Sequence, residues 1–345
     1  MDSTLSGKKM YIPVVIAAGV CLFLIRSNFL AFFFLVPLGF ISYRYDYRTA
    51  WTTSFCVILG NLMLTLGLLI SQGLLVTETV WNVLFVSAML VIFTLITSPS
   101  PEIAGRFSGM LRLMAGSCFG AVLFTGIFFR ISSSPGFLEY FDYLFQSMIS
   151  TYSSTASDVV QNARMEMLTA EGVLQGIKMV LLRGGGLVSC VLLFVVSHQI
   201  SYLLAWLFSL KEKRRGWRTS SLILFHVHPA LIWVFSSSLL LVVLTRTTGL
   251  EIPEIILWNL LIFCAMLYFA QGLGICQFFL TRPSLSPFLR LLLGVAFIVM
   301  LFSPFLNMLL LGALVLLGAV ENWVPFRAPQ KNGPSSTPED RSKDL

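Results

Sequence analysis

Residues 259–280 read NLLIFCAMLYFAQGLGICQFFL, 22 positions in a row without a charged side chain. A helix of about 20 apolar residues is what it takes to cross the roughly 30 Å hydrocarbon core of a bilayer. The same texture recurs at about 10–25, 29–42, 50–73, 80–98, 108–130, 187–210, 229–246, 255–280, 288–303 and 305–320. Across the 345 residues, 57% are hydrophobic and 11% charged, against about 25% charged in a soluble globular chain. The reading is an all-α, polytopic transmembrane helix bundle of about 8–10 spans. The range comes from the first two and last two segments: a 16-residue helix at 1.5 Å per residue covers only about 24 Å. Tilt, extension into polar flanks, or a hairpin that does not cross would each accommodate them. The run at 10–25 follows two lysines as in a signal peptide, but a second apolar run follows at once, so it reads as a retained helix.

Charge sets the orientation. With the N-terminus in the cytoplasm and ten crossings, 17 of the 23 basic residues fall inside and 6 outside, as the preference of Lys and Arg for cytoplasmic loops requires. The strongest marker is KEKRRGWR at 211–218. The net charge of +7 therefore reflects membrane orientation rather than nucleic-acid binding. The largest loop, about 131–186, then lies outside. Within it, FLEYFDYLFQSM (137–148) puts Phe137, Leu138, Phe141, Leu144, Phe145 and Met148 near one helical face, the pattern of an amphipathic surface helix. A second helical stretch, about 159–183, runs into Gly184-Gly185-Gly186. Without a break there, one helix would extend to about 210, so a hinge is expected at the glycines. Residues 1–327 read as one multi-span domain. The tail at 328–345 is Pro- and Ser-rich, charged, and expected to be disordered in the cytoplasm.

Polar residues inside spans are costly and tend to mark function. Asn259, Tyr268, Gln271 and Gln277 lie in the eighth segment and His198 in the sixth. Asn259, Tyr268, Gln271 and His198 are the candidate solute-binding residues, with interhelical hydrogen bonding as the competing role. Gly105, Gly109, Gly116 and Gly120 form two GxxxG pairs, a helix-packing feature in lipid that could also join two copies of the chain. Glu321 and Arg327, at the inner end of the last segment, read as side chains that snorkel or pair at the interface. FHVHP (225–229) holds two of the three histidines. Proline favours the first helical position, so Pro229 is expected to start the seventh helix, with His226 and His228 before it pointing to opposite sides. No metal and no cofactor is expected. The six cysteines lie in apolar runs without CxxC spacing, so neither zinc nor a disulfide is expected. HExxH, GxSxG, Walker A and EF-hand patterns are missing from the sequence, which argues against an enzyme and against an ATP site.

Four stretches, LVPLGFISYRYDYRTAW (35–51), HPALIWVFSSSLLL (228–241), residues 259–280 quoted above and LGAVENWVPFR (317–327), resemble the YybS-like family of predicted bacterial membrane proteins. The chain departs from that pattern at Pro325. The resemblance implies an all-helical bundle in the bacterial cytoplasmic membrane. It also implies a distant similarity to the substrate-binding membrane subunits of energy-coupling-factor vitamin transporters and to small membrane partners of cell-shape machinery. The expected function is a solute-binding membrane subunit or permease, its energy coming from a separate ATPase or cytoplasmic partner docked at 211–218. The alternative is a scaffold that recruits partners and transports nothing.

Overall fold

The computed structural model describes residues 4–27, 30–72, 76–98, 109–155, 169–209, 222–248, 251–281 and 285–327. Among them every regular element is helical: α1 (Thr4–Arg26), α2 (Val36–Arg44), α3 (Tyr47–Gln72), α4 (Val76–Thr97), α5 (Gly109–Ile131), α6 (Pro135–Thr155), α7 (Ala170–Val180), α8 (Gly186–Ser209), α9 (Leu231–Thr248), α10 (Glu251–Thr281), α11 (Pro287–Phe302) and α12 (Leu306–Val320). Hydrocarbon offers no water to backbone N–H and C=O groups, so a lipid-exposed segment must pair them within itself. All ten apolar segments accordingly fall on helices, and the chain is an all-α polytopic membrane protein. Among the described residues, five stretches are long and apolar enough to cross: Tyr47–Ser71, Val80–Thr97, Gly109–Ile131, Ala170–Phe208 and Pro253–Thr281. The surfaces of these helices carry large apolar side chains such as Ile70 (86% exposed), Val122 and Phe119, which face lipid when the helix spans.

The chain divides into two compact units, with boundaries inside α9 and α10: residues 1–217 with 237–263, and residues 218–236 with 264–345. In the first unit, α2 is the short central element. It packs against α1, α3, α4 and α8, and Leu35, Leu38 and Ile41 at and within it are fully buried. Nine residues make a helix of about 14 Å, and with the turn before it the apolar stretch Ala31–Arg44 is shorter than the five long spans, so α2 contributes chiefly to the core of this unit. α5 lies against α4 and α8. Gly116 seats on Ile92 and Ile96 of α4, and Gly120 on Met89 of α4 and Cys190 of α8. That glycine face is thus occupied within the chain, while Gly105 lies outside the described residues. α6 buries a narrower stripe than the pattern suggested. Phe137, Phe141, Phe145 and Ile149 are half-buried, Phe137 packing between Phe128 and Phe141, while Leu138, Leu144 and Met148 stay exposed.

The glycine triplet interrupts the helix with a kink, as expected from the sequence, where Arg183 (ψ 27°) and Gly184 leave helical geometry. A π-turn at Leu181–Gly185 joins α7 to α8, with Gly184 at φ +104°, a backbone conformation that costs any residue with a Cβ. The apolar stretch continues through it from Ala170 to Phe208, 39 residues or about 58 Å, so one crossing uses only part of it.

In the second unit, Pro229 and Ala230 form a turn, closed by Leu231 N–H donating to the His228 carbonyl at 3.0 Å. α9 therefore begins at Leu231, two residues later than the proline suggested. α11 and α12 are bent from each other by 116°, either one broken span or a re-entrant pair. α12 meets the second half of α10 backbone to backbone. A Cβ at Gly272 would overlap the Leu314 carbonyl, and one at Gly318 would overlap that of Tyr268.

Candidate functional site

Among the described residues, ionisable and polar side chains gather in both units.

In the second unit, the chain after α12 turns back at Pro325 and delivers Arg327 beside Glu321. Their side chains are 4% and 2% exposed. The guanidinium spends all five of its N–H groups. Nε donates to Glu321 Oε1 at 2.6 Å, Nη1 to the carbonyls of Leu222 (3.2 Å) and Ile223 (2.7 Å), and Nη2 to the Phe225 carbonyl (2.9 Å) and to Glu321 Oε2. Gln271 completes the network: its Nε2 donates to Glu321 Oε2 at 2.9 Å and its Oε1 accepts from Val227 N–H at 2.7 Å. The fully buried Tyr268 packs against Phe235, and its hydroxyl accepts from Asn322 Nδ2 at 3.5 Å. His226 approaches Glu321 to 3.9 Å, whereas His228 Nδ1 accepts from Ala230 N–H, so the two histidines serve different partners. A buried guanidinium with every donor matched costs least to keep charged. This arrangement is a lock that fixes the 222–227 segment against α10. Gln271 and Tyr268, the two residues expected to face a solute in this helix, have their polar atoms engaged by protein.

In the first unit, Asn259 Nδ2 donates to the Leu182 carbonyl, which belongs to the π-turn, and to Ile255 O at 2.9 Å. Beside it Glu254, 8% exposed, pairs with Arg183 Nη2 at 3.2 Å and accepts from Trp258 Nε1 at 3.2 Å. Arg183 Nε is buried and has no partner among the described residues. Gly184 lies against Ile262 of α10. The break is thus held by α10, with Glu254 and Trp258 one turn apart and Asn259 next to Trp258. Glu254 escaped the sequence reading because it stands near a helix start, where carboxylates are ordinarily solvated.

Also in the first unit, His198 of α8 hydrogen-bonds the Tyr43 hydroxyl through Nε2, and the Tyr43 ring meets those of His198 (5.4 Å) and Tyr202 (5.8 Å) edge-on. Asn259 and His198 therefore have separate surroundings, and neither joins Gln271. A cavity of about 50 Å³ lined by Arg26, Asn61, Thr65 and Asn82 has Arg26 Nη2 donating to Thr65 Oγ1 at 2.6 Å. It suits water, being well below the roughly 300 Å³ of a small-molecule site. Among the described residues no three His, Cys, Asp or Glu side chains come close enough to hold a metal. The basic loop at 211–218 lies outside the described residues.

No curated protein and no solved structure matches the chain. Residues 107–314 match the model of a family described as predicted membrane protein (DUF2232), a region that runs from the start of α5 into α12 and contains the broken helix with its Arg183–Glu254–Asn259 cluster. With more than half of its length matched, this multi-pass membrane chain belongs to the DUF2232 family of predicted membrane proteins.

Proposed function

We propose that this protein is a solute-binding membrane subunit or permease, without catalytic activity of its own, that depends on a separate energy source. The observation that carries the reading is the break at Leu181–Gly185, where a buried carboxylate, a guanidinium and an amide meet between apolar helices. Transporter sites are commonly built at interrupted helices, whose freed backbone groups and nearby polar side chains contact the solute. Arg183 Nε, buried and unpaired among the described residues, is a donor awaiting an acceptor. Among the four residues expected at a solute, Asn259 is the one at this break. Gln271 and Tyr268 belong instead to the Glu321–Arg327 network of the second unit.

In this reading both termini and the 211–218 loop face the cytoplasm of a bacterial inner membrane, the loop docks an ATPase-type partner, and the break opens outward. The likeness to energy-coupling-factor binding subunits belongs to the same proposal. The test is a thermal-unfolding screen of the detergent-purified protein against water-soluble vitamins, amino acids and nucleosides. One compound should raise the Tm of the wild type and have no effect on Glu254→Gln or Asn259→Leu. A panel without effect, or an equal shift in both variants, would reject the reading.

A further inference from the structure

The Tyr43–His198 cluster contains a group that the fold leaves unsatisfied. Arg112 lies on α5, and its Nε and Nη1 atoms are sealed from solvent without a hydrogen-bond partner among the described residues. α5 and α8 run antiparallel. Gly186 of α8 abuts Thr125 and Ala121 of α5, and Gly120 of α5 abuts Cys190 of α8. Extending that register brings Arg112 level with His198. Arg112 is also an electrostatic neighbour of Tyr43, the residue bonded to His198. Tyr43, His198, Tyr202 and Arg112 are all half-buried as residues, although the Arg112 Nε and Nη1 atoms themselves are enclosed. By contrast, Arg327 has all five donors matched.

Buried polar groups in native proteins are nearly always hydrogen-bonded, and an exception calls for an unseen ion, water or ligand. A guanidinium presents a planar fork that fits a phosphate or carboxylate edge. We propose that Arg112, with the Tyr43–His198 pair beside it, binds a phosphate-type oxyanion, supplied by the headgroup of an anionic lipid or by a free phosphorylated solute. The unpartnered Nε and Nη1 donors of Arg112 face the oxyanion, and the Tyr43–His198 pair offers the neighbouring polar edge. No residue is shared with the Arg183–Glu254–Asn259 break, so either site can fail without the other.

Two measurements on the full chain distinguish the sources. Native mass spectrometry of protein mixed with equal phosphatidylglycerol and phosphatidylethanolamine should show wild type retaining phosphatidylglycerol preferentially, and Arg112→Gln losing that preference by about tenfold or more, the scale of one charge-assisted contact. If the source is soluble, inorganic phosphate instead raises the Tm of wild type and leaves Arg112→Gln unmoved. Should Arg112→Gln not fold, Arg112→Lys and Tyr43→Phe serve in its place, each binding more weakly than wild type. Equal retention of both lipids together with no phosphate effect, or binding identical in wild type and the variants, overturns the site.

Discussion

Arg327→Ala is the sharpest perturbation of the second unit. Its side chain is 4% exposed and makes two hydrogen bonds to Glu321 and three to the backbone of Leu222, Ile223 and Phe225. Truncation leaves the Glu321 carboxylate, 2% exposed, with Gln271 as its remaining close donor, and strips three carbonyls of theirs. Removing one partner of a buried ion pair costs about 3–5 kcal/mol because the other charge is stranded. The loss for Arg327→Ala should fall toward the top of that range, since each abandoned carbonyl adds to it, at about 1 kcal/mol on the scale of single hydrogen bonds. The double variant Glu321→Ala/Arg327→Ala strands no charge, so it should lose less than the sum of the two single variants, with a coupling of about 1–3 kcal/mol. The assay is unfolding in mixed micelles with increasing dodecyl sulfate, followed by tryptophan fluorescence. A loss below about 1 kcal/mol for Arg327→Ala, the scale of a solvent-exposed pair, or strict additivity in the cycle, would refute the lock.

Gly184→Ala should destabilise by at least about 1–2 kcal/mol, the cost of left-handed backbone for an L-residue. Ile262→Ala added to it should relieve the contact with the new methyl group but not the backbone cost, as the same micelle titration would show. Gly318→Ala should cost about 1–3 kcal/mol through overpacking against the Tyr268 carbonyl and should loosen α12 first, visible as faster hydrogen exchange there. A reporter fused within 211–218 should read cytoplasmic and one within 137–148 external. The reverse result would invert the proposed orientation.

The helices were legible because charge is so sparse. Between 50 and 73 and between 255 and 280, little besides a membrane helix accommodates the residues present, and α3 and α10 lie there. The break was legible because a helix from 159 to 210 is longer than a membrane is thick. Its partner was not, since the Asn259 bond to the Leu182 carbonyl joins residues 77 positions apart. The role of α2 was hidden for a related reason: an apolar segment reads the same whether it faces lipid or is enclosed by four helices. Glu321 and Arg327 were visible as a pair six residues apart and were placed at the interface. What buries them is the return of the chain at Pro325 and the arrival of residues 222–227, which are about 100 positions away in sequence and leave no local pattern. Glu254 and Arg112 illustrate the same limit, because each matters through a partner, or the want of one, on another helix.

The most direct test of the proposed function is to identify what the purified protein carries. Protein extracted from bacterial membranes in mild detergent is denatured, and the released small molecules are quantified by mass spectrometry against chain concentration. The account predicts one compound at about one per chain in wild type, reduced at least about tenfold, a loss of roughly 1.4 kcal/mol in affinity, in Glu254→Gln and Asn259→Leu, with Arg327→Ala retaining it wherever the protein still folds. No compound above background in wild type, in protein that also fails to bind any member of the solute panel, would contradict it.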